Sequence, residues 1–166
     1  LANKNAHRVI GLMSGTSLDG LDICLAKFAE KDGAWHYEIE YAETVSYPKE
    51  WIDGLRNAEK TTGAELQHFH SVYGKYLGEC VSIFLEKHGL KKPEFVASHG
   101  HTIFHQPQIG YTFQAGAGNT LRDACGIPVV CDFRTLDVAL GGQGAPLVPI
   151  GDALLFRDYE YCLNLG

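Results

Sequence analysis

The stretch Gly11-Leu12-Met13-Ser14-Gly15-Thr16-Ser17-Leu18-Asp19-Gly20-Leu21-Asp22 decides the fold. A short apolar strand, Arg8–Met13, runs straight into a Gly/Ser/Thr turn, Ser14–Asp19, and Gly20–Phe28 leaves it as a second, mostly buried strand. Gly15 and Gly20 permit positive φ and close backbone approach, while Ser14, Thr16 and Ser17 add hydroxyl and N–H donors. Together they suit a backbone nest around phosphate oxygens. Asp19 is an anion beside that nest, which makes sense where a divalent cation lies between carboxylate and phosphate. The plainer alternative is a polar hairpin with Asp19 in an Asx-turn. Neither the Walker pattern nor Gly-x-Gly-x-x-Gly occurs, which disfavours those two nucleotide folds.

Outward from this turn, Glu30-Lys31-Asp32-Gly33 carries the Asp-Gly signal of a hairpin, and Trp35–Tyr47 alternates as a half-exposed strand. Three consecutive strands form most simply an antiparallel meander. Helices follow. Pro48 opens one through about Asn57, and Thr62-x-x-Glu65 is a capping-box match opening the longest, which ends before Gly89. Phe95–Ser98 reads as a strand, Asn119–Cys125 as a short helix, Val129–Phe133 as a strand and Pro146–Phe156 as a helix. Tyr161–Leu165 reads as the start of one more strand. The order βββαβαβα is an α/β pattern calling for right-handed crossovers and a mixed sheet flanked by helices.

The 166 residues include 14 Lys+Arg and 20 Asp+Glu, a net charge of −6. That balance argues against nucleic acid or an anionic membrane as partner. No apolar run approaches the ~20 residues of a membrane span, and Leu1–Arg8 has no apolar h-region. The five cysteines contain no C-x-x-C pair. Reduced thiols and a cytoplasmic location are expected.

Three further clusters carry possible chemistry. Ser98-His99-Gly100-His101-Thr102-Ile103-Phe104-His105 lies at the C-terminal end of a strand, where ligand crevices open in α/β sheets. It suits hydrogen bonding to a polar ligand better than metal binding, because no carboxylate completes a ligand set, with plain structural histidines as the other alternative. Thr112–Asn119 leads into a helix N-terminus able to accept an anion, with Asn119 as a plain N-cap as the alternative. Asp132 is a possible acceptor or base, Arg134 an anion fork and Gln143 an amide contact. An Asp132–Arg134 or Arg134–Asp137 surface pair is the alternative there. The four loops are expected to converge on one rim.

The run Gly11–Asp22, His99-Gly100-His101-Thr102, Phe113-Gln114-Ala115-Gly116, Asp132-Phe133-Arg134 and Gly141–Pro149 resemble the bacterial anhydro-N-acetylmuramic acid kinase family. The resemblance implies the ribonuclease H-like superfold of sugar kinases and actin-like ATPases, with two lobes around an ATP and sugar cleft. It implies ATP-dependent conversion of 1,6-anhydro-N-acetylmuramic acid and water to N-acetylmuramic acid 6-phosphate in peptidoglycan recycling. On it, Gly15, Thr16, Ser17, Leu18, Asp19, Gly20, Leu21 and Asp22 form the ATP phosphate loop, with Asp19 near Mg²⁺ through water. His99, Gly100, Thr102, Asp132, Arg134 and Gln143 line the sugar side.

Members of that family are about twice as long. Residues 1–160 are therefore expected to be a first lobe and 161–166 the opening strand of a second lobe of the same polypeptide. The main catalytic base is expected beyond Gly166, with Asp132 as fallback. The lobe alone is expected to be inactive, and a homodimer is a further possible assembly. The competing readings are a non-catalytic sugar-binding module, an actin-like ATPase, and a metal hydrolase using His99, His101 and His105.

Overall fold

The computed structural model describes residues 6–145 and 147–163. Three strands open the chain: β1 (Ala6–Ser14), β2 (Leu21–Lys31) and β3 (Ala34–Val45). They pair as the expected antiparallel meander. Asp32 and Gly33, both at positive φ, make the two-residue turn between β2 and β3, the conformation that matches the twist of the flanking strands. The alternation expected along the third strand is interrupted. Leu25 faces Tyr41 and Ala26 faces Ile39, so Glu40 is an extra residue bulged out to meet Arg8.

Helices α1 (Lys49–Asn57) and α2 (Gly63–Lys87) come next. The N-terminus of α2 is fixed by the expected capping box, Thr62 accepting from the Glu65 N–H while Glu65 accepts from the Thr62 N–H. Strand β4 (Phe95–Ser98) then enters beside β1, parallel to it. After helix α3 (Gly118–Cys125), the short strand β7 (Val129–Cys131) joins β4, also parallel. The sheet order is β3-β2-β1-β4-β7. A mixed five-stranded sheet flanked by helices is the expected fold class.

Three readings need correction or limits. The segment after Ser98 is not a loop: β5 (His101–Gln106) and β6 (Tyr111–Ala115) form a separate antiparallel pair. β7 ends at Cys131 rather than Phe133, because Asp132 turns the backbone left-handed at φ 61°. A short helix, α4 (Thr135–Ala139), follows, and then α5 (Leu147–Leu155). Of the strand read over Tyr161–Leu165, residues 161–163 have no regular structure and the rest lies outside the described residues.

Alternation decides which face of the sheet is the core. Ile10, Leu12, Leu21, Ile23, Leu25 and Val96 point to one side and meet Tyr73, Leu77, Val81 and Phe84 of α2 and Leu121 of α3. The opposite face carries Gly11, Met13, Asp22, Cys24 and Ala97, which with Leu147 and Val148 of α5 line a largely apolar hollow of about 540 Å³. All five cysteines are free thiols, but only Cys80 and Cys125 are buried.

Helices α2 and α3 touch through glycine. A Cβ at Gly78 would lie 2.5 Å from the Leu121 carbonyl oxygen and 2.7 Å from the Ala124 Cβ. Alanine improves helix propensity by about 1 kcal/mol, but backbone on the facing helix has to move, an overpacking cost of about 1–3 kcal/mol. Gly78→Ala is therefore expected to lower stability by up to about 2 kcal/mol in urea unfolding. Gly151→Ala on α5, with no atom within 4 Å, should raise it by about 0.5–1 kcal/mol. Equal effects at both sites would contradict the close helix contact.

Candidate functional site

The parallel strands β1, β4 and β7 end at one edge of the sheet, and each delivers a cluster to it. At the end of β1, Ser14 is buried and bonded from three sides. The phenols of Tyr47 and Tyr73 donate to its Oγ at 2.8 and 2.9 Å, and the two phenol oxygens lie 2.8 Å apart. Nδ1 of His101 lies 2.8 Å from the same Oγ, so the three hydroxyls and the imidazole form one buried hydrogen-bonded cluster. Burial holds His101 below the usual imidazole range, and neighbouring His99 adds to the effect. Burial likewise pushes the Tyr73 phenol above its ordinary value.

The Gly15–Gly20 turn grows from this anchored residue. Leu18 adopts φ 60°, an outlier for a bulky side chain, while its side chain packs against the core. Gly20 has no room for a Cβ, which would sit 2.7 Å from the Val45 carbonyl oxygen. The Asp19 carboxylate accepts from Ser17 Oγ at 2.6 Å. That bond and the N–H groups of Asp19 and Gly20 hold it below the usual carboxylate range. The turn presents an ionised, exposed carboxylate. Leu21 is the buried first residue of β2, and Asp22 accepts from Thr44 Oγ1 at 2.5 Å. Thr16, Ser17 and Leu18 share a hollow of about 390 Å³ with His101, Thr102, Arg56 and Glu59. Arg56 and Glu59 were not legible as site residues.

The three histidines of the second cluster have separate partners. His99 donates through Nδ1 to the Gly100 carbonyl (2.9 Å) and accepts at Nε2 from Nε of Arg134 (2.8 Å). Burial keeps it below the usual range, and the guanidinium adds to this. His101 binds Ser14, and His105 Nδ1 lies 3.2 Å from Thr112 Oγ1. Among the described residues no group of three His, Cys, Asp or Glu side chains could hold a metal ion. Gly100, at φ 71°, lies against the Ala115 carbonyl, where a Cβ would be 2.5 Å away.

In the fourth cluster the guanidinium is a bracket. Besides His99, Arg134 donates through Nη1 to the Gly144 carbonyl at 2.5 Å, tying the 141–145 loop to the end of β4. Among the described residues neither Asp132 nor Asp137 makes an ion pair with it. Asp132 accepts instead from the N–H and hydroxyl of Thr135, and Asp137 from the Gly144 N–H at 2.6 Å. Gln143 is exposed in that loop.

A second hollow, about 250 Å³, joins the remaining clusters. It is lined by His70, Ser98, His99, Thr112, Phe113, Gln114, Gly116, Gly118, Cys131, Asp132 and Thr135. Asn119 is not the N-cap of α3: Ala117 holds that position, and Asn119 accepts from the Thr120 N–H within the first turn. His70 escaped the sequence reading because it sits in the regular repeat of α2 and meets β6 only in three dimensions.

A family model described as anhydro-N-acetylmuramic acid kinase matches residues 7–166. The chain belongs to the anhydro-N-acetylmuramic acid kinase family. It is 36% identical over 167 residues to the anhydro-N-acetylmuramic acid kinase of Shewanella denitrificans, covering 95% of this chain and 44% of that one. It is 40% identical to the Shewanella halifaxensis relative, over 98% of this chain and 46% of the other. With the relative from Picosynechococcus sp. the values are 38%, 96% and 44%. The chain thus spans less than half the length of these curated relatives of the family. No described helix is long and apolar enough to cross a membrane.

His70, His99 and His101 are all held neutral by burial. In the unfolded chain each charges as pH falls below about 6.5, so the unfolded state then binds more protons and stability falls. Stability should be full above about pH 7 and decline from about pH 6.5 towards pH 5, read from urea midpoints at constant slope. His101→Asn, which keeps an acceptor for Ser14 but cannot titrate, should show a shallower decline. Stability that is level or rising towards pH 5.5 in the parent chain would contradict neutral buried imidazoles.

Proposed function

We propose that this chain is the first lobe of an ATP-dependent kinase that converts 1,6-anhydro-N-acetylmuramic acid and water into N-acetylmuramic acid 6-phosphate, with a role in cell-wall recycling in the cytoplasm. Family membership supports the activity. The observation that carries the site is the Gly15–Asp22 turn, set on the buried Ser14 cluster, at the same sheet edge as the His99–Thr102 and Asp132–Arg134 clusters. In the reaction, water attacks the anomeric carbon, the bond from that carbon to O6 breaks, O6 attacks the γ-phosphorus and ADP leaves.

The backbone and hydroxyls of Gly15–Ser17 would hold phosphate oxygens. The ionised, exposed Asp19 fits a magnesium ion held through water, the phosphates supplying the remaining oxygens. Such an ion, when bound, neutralises charge on the transferring phosphoryl group. His99, Gly100 and Thr102 would face the sugar, and Arg134 would act mainly by holding His99 and the Gly144 loop in place. The second half of the family's length would supply the adenosine side and the group that takes the proton from water.

Residues 1–166 joined to the remaining part of the Shewanella halifaxensis relative should form sugar 6-phosphate in a coupled assay. The 166-residue chain alone should form none, because in-line transfer needs both sides of the phosphate clamp. In the joined protein Asp19→Asn should lower kcat about 10²-fold with unchanged melting temperature. ATP hydrolysis indifferent to sugar would favour an actin-like ATPase. Sugar binding without phosphorylation would favour a binding module.

A further inference from the structure

The two faces of the sheet are unequally covered. Helices α1, α2 and α3 enclose the core face with Leu55, Tyr73, Leu77, Phe84 and Leu121. On the other face, α5 is the one described helix that lines the hollow of about 540 Å³. The chain just beyond α5 is held at the far corner of the sheet, Phe156 meeting Tyr37 of β3 edge-on and Arg157 donating to the Gly33 carbonyl. Strands about 4.8 Å apart put about 19 Å between the outer members of a five-stranded sheet. Helices pack about 8–10 Å apart, so one helix leaves room for a second. A sheet with parallel strands is normally buried on both faces.

The walls of the hollow say what fits there. Cys24, Gly11 and Ala97 lie side by side on β2, β1 and β4 and form its floor. A Cβ at Gly11 would meet nothing within 4 Å, and glycine inside a strand marks a place where another backbone comes close. Met13 and Val148 border the hollow and are 44% and 50% exposed. The polar side chains on the rim already have protein partners: Asp22 accepts from Thr44, and Arg134 donates to His99. Helix α5 continues the apolar surface. Its sequence, Leu-Val-Pro-Ile-Gly-Asp-Ala-Leu-Leu, has Asp152 as its one polar side chain, yet none of its residues is fully buried. A helix apolar on all sides belongs in an interior. The occupant is therefore apolar and extended, and the relatives carry enough chain to supply it, since this chain covers 44% and 46% of two of them.

We propose that this face is covered by an apolar helix from the part of the family's length outside this chain, laid beside α5 with its backbone over Gly11. The proposal rests on the first-lobe reading above and deepens it: the two parts of the polypeptide meet behind the sheet as well as around the ligands. The hollow is then a protein seam.

The test is the alkylation rate of Cys24, followed by peptide mass spectrometry in the 166-residue chain and in the joined protein. Cys24 should react about tenfold or more slowly in the joined protein, because access limits a covered thiol, and equally so at every protein concentration. Gly11→Val adds a β-branched side chain to open space, so it should raise the urea midpoint of the 166-residue chain. In the joined protein the same substitution should restore fast alkylation. Val148→Asp, at an exposed position, should leave the midpoint of the 166-residue chain unchanged and also restore fast alkylation in the joined protein. Equal Cys24 rates in the two proteins, or joined variants as protected as the joined parent, would overturn the helix cover. Protection that fades on dilution would assign the face to a second copy and overturn it as well. Sugar phosphorylation by a joined protein whose Cys24 stays reactive would overturn the cover and leave the kinase reading standing. Slow alkylation without phosphorylation would do the reverse.

Discussion

The hydroxyl of Ser14 is the interaction on which the site depends. It sits at the last residue of β1, in a region where an unpaired polar atom is costly, and it is bonded by Tyr47, Tyr73 and His101. These partners come from three places: the segment after β3, the middle of α2 and the first residue of β5. One side chain therefore ties the start of the Gly15–Gly20 turn to the meander, the main helix and the added hairpin. The strained Leu18 and the crowded Gly20 hang from that anchor. Their conformations persist because the surroundings determine them, as strained positions at functional sites require.

A second set of bonds extends the same order along the sheet edge. Arg134 joins the end of β4 to the Gly144 loop, and His70 joins α2 to the start of α3 through Gly116. In each case an imidazole nitrogen accepts, and burial keeps that ring neutral. Arg56 lines the hollow beside the Gly15–Gly20 turn.

Most of the sheet was legible because its signals are local. The Asp-Gly turn, the Thr62–Glu65 cap and the apolar runs of β1, β2 and β4 each act within a few residues. The β5–β6 hairpin was not, because His, Gln and Thr in that stretch carry no apolar alternation, and its pairing bulges between Thr102 and Phe104. The site was legible as a set of loops but not as a set of roles. Arg134 reads as an anion fork until Gly144 and His99 are seen to occupy it. His70 reads as one more helical residue. Those roles are set by contacts between residues far apart in sequence, such as His70 with Gly116 and Ser14 with His101.

The most direct test of this account is amide hydrogen exchange in Ser14→Ala against the parent chain. Loss of the shared hydroxyl should speed exchange together at Gly15–Gly20 and at the paired start of β5, His101 and Thr102, while β2 and the centre of α2 keep their protection. Exchange that rises uniformly through the domain, or that leaves the Gly15–Gly20 turn as slow as before, would contradict Ser14 as the anchor of the site.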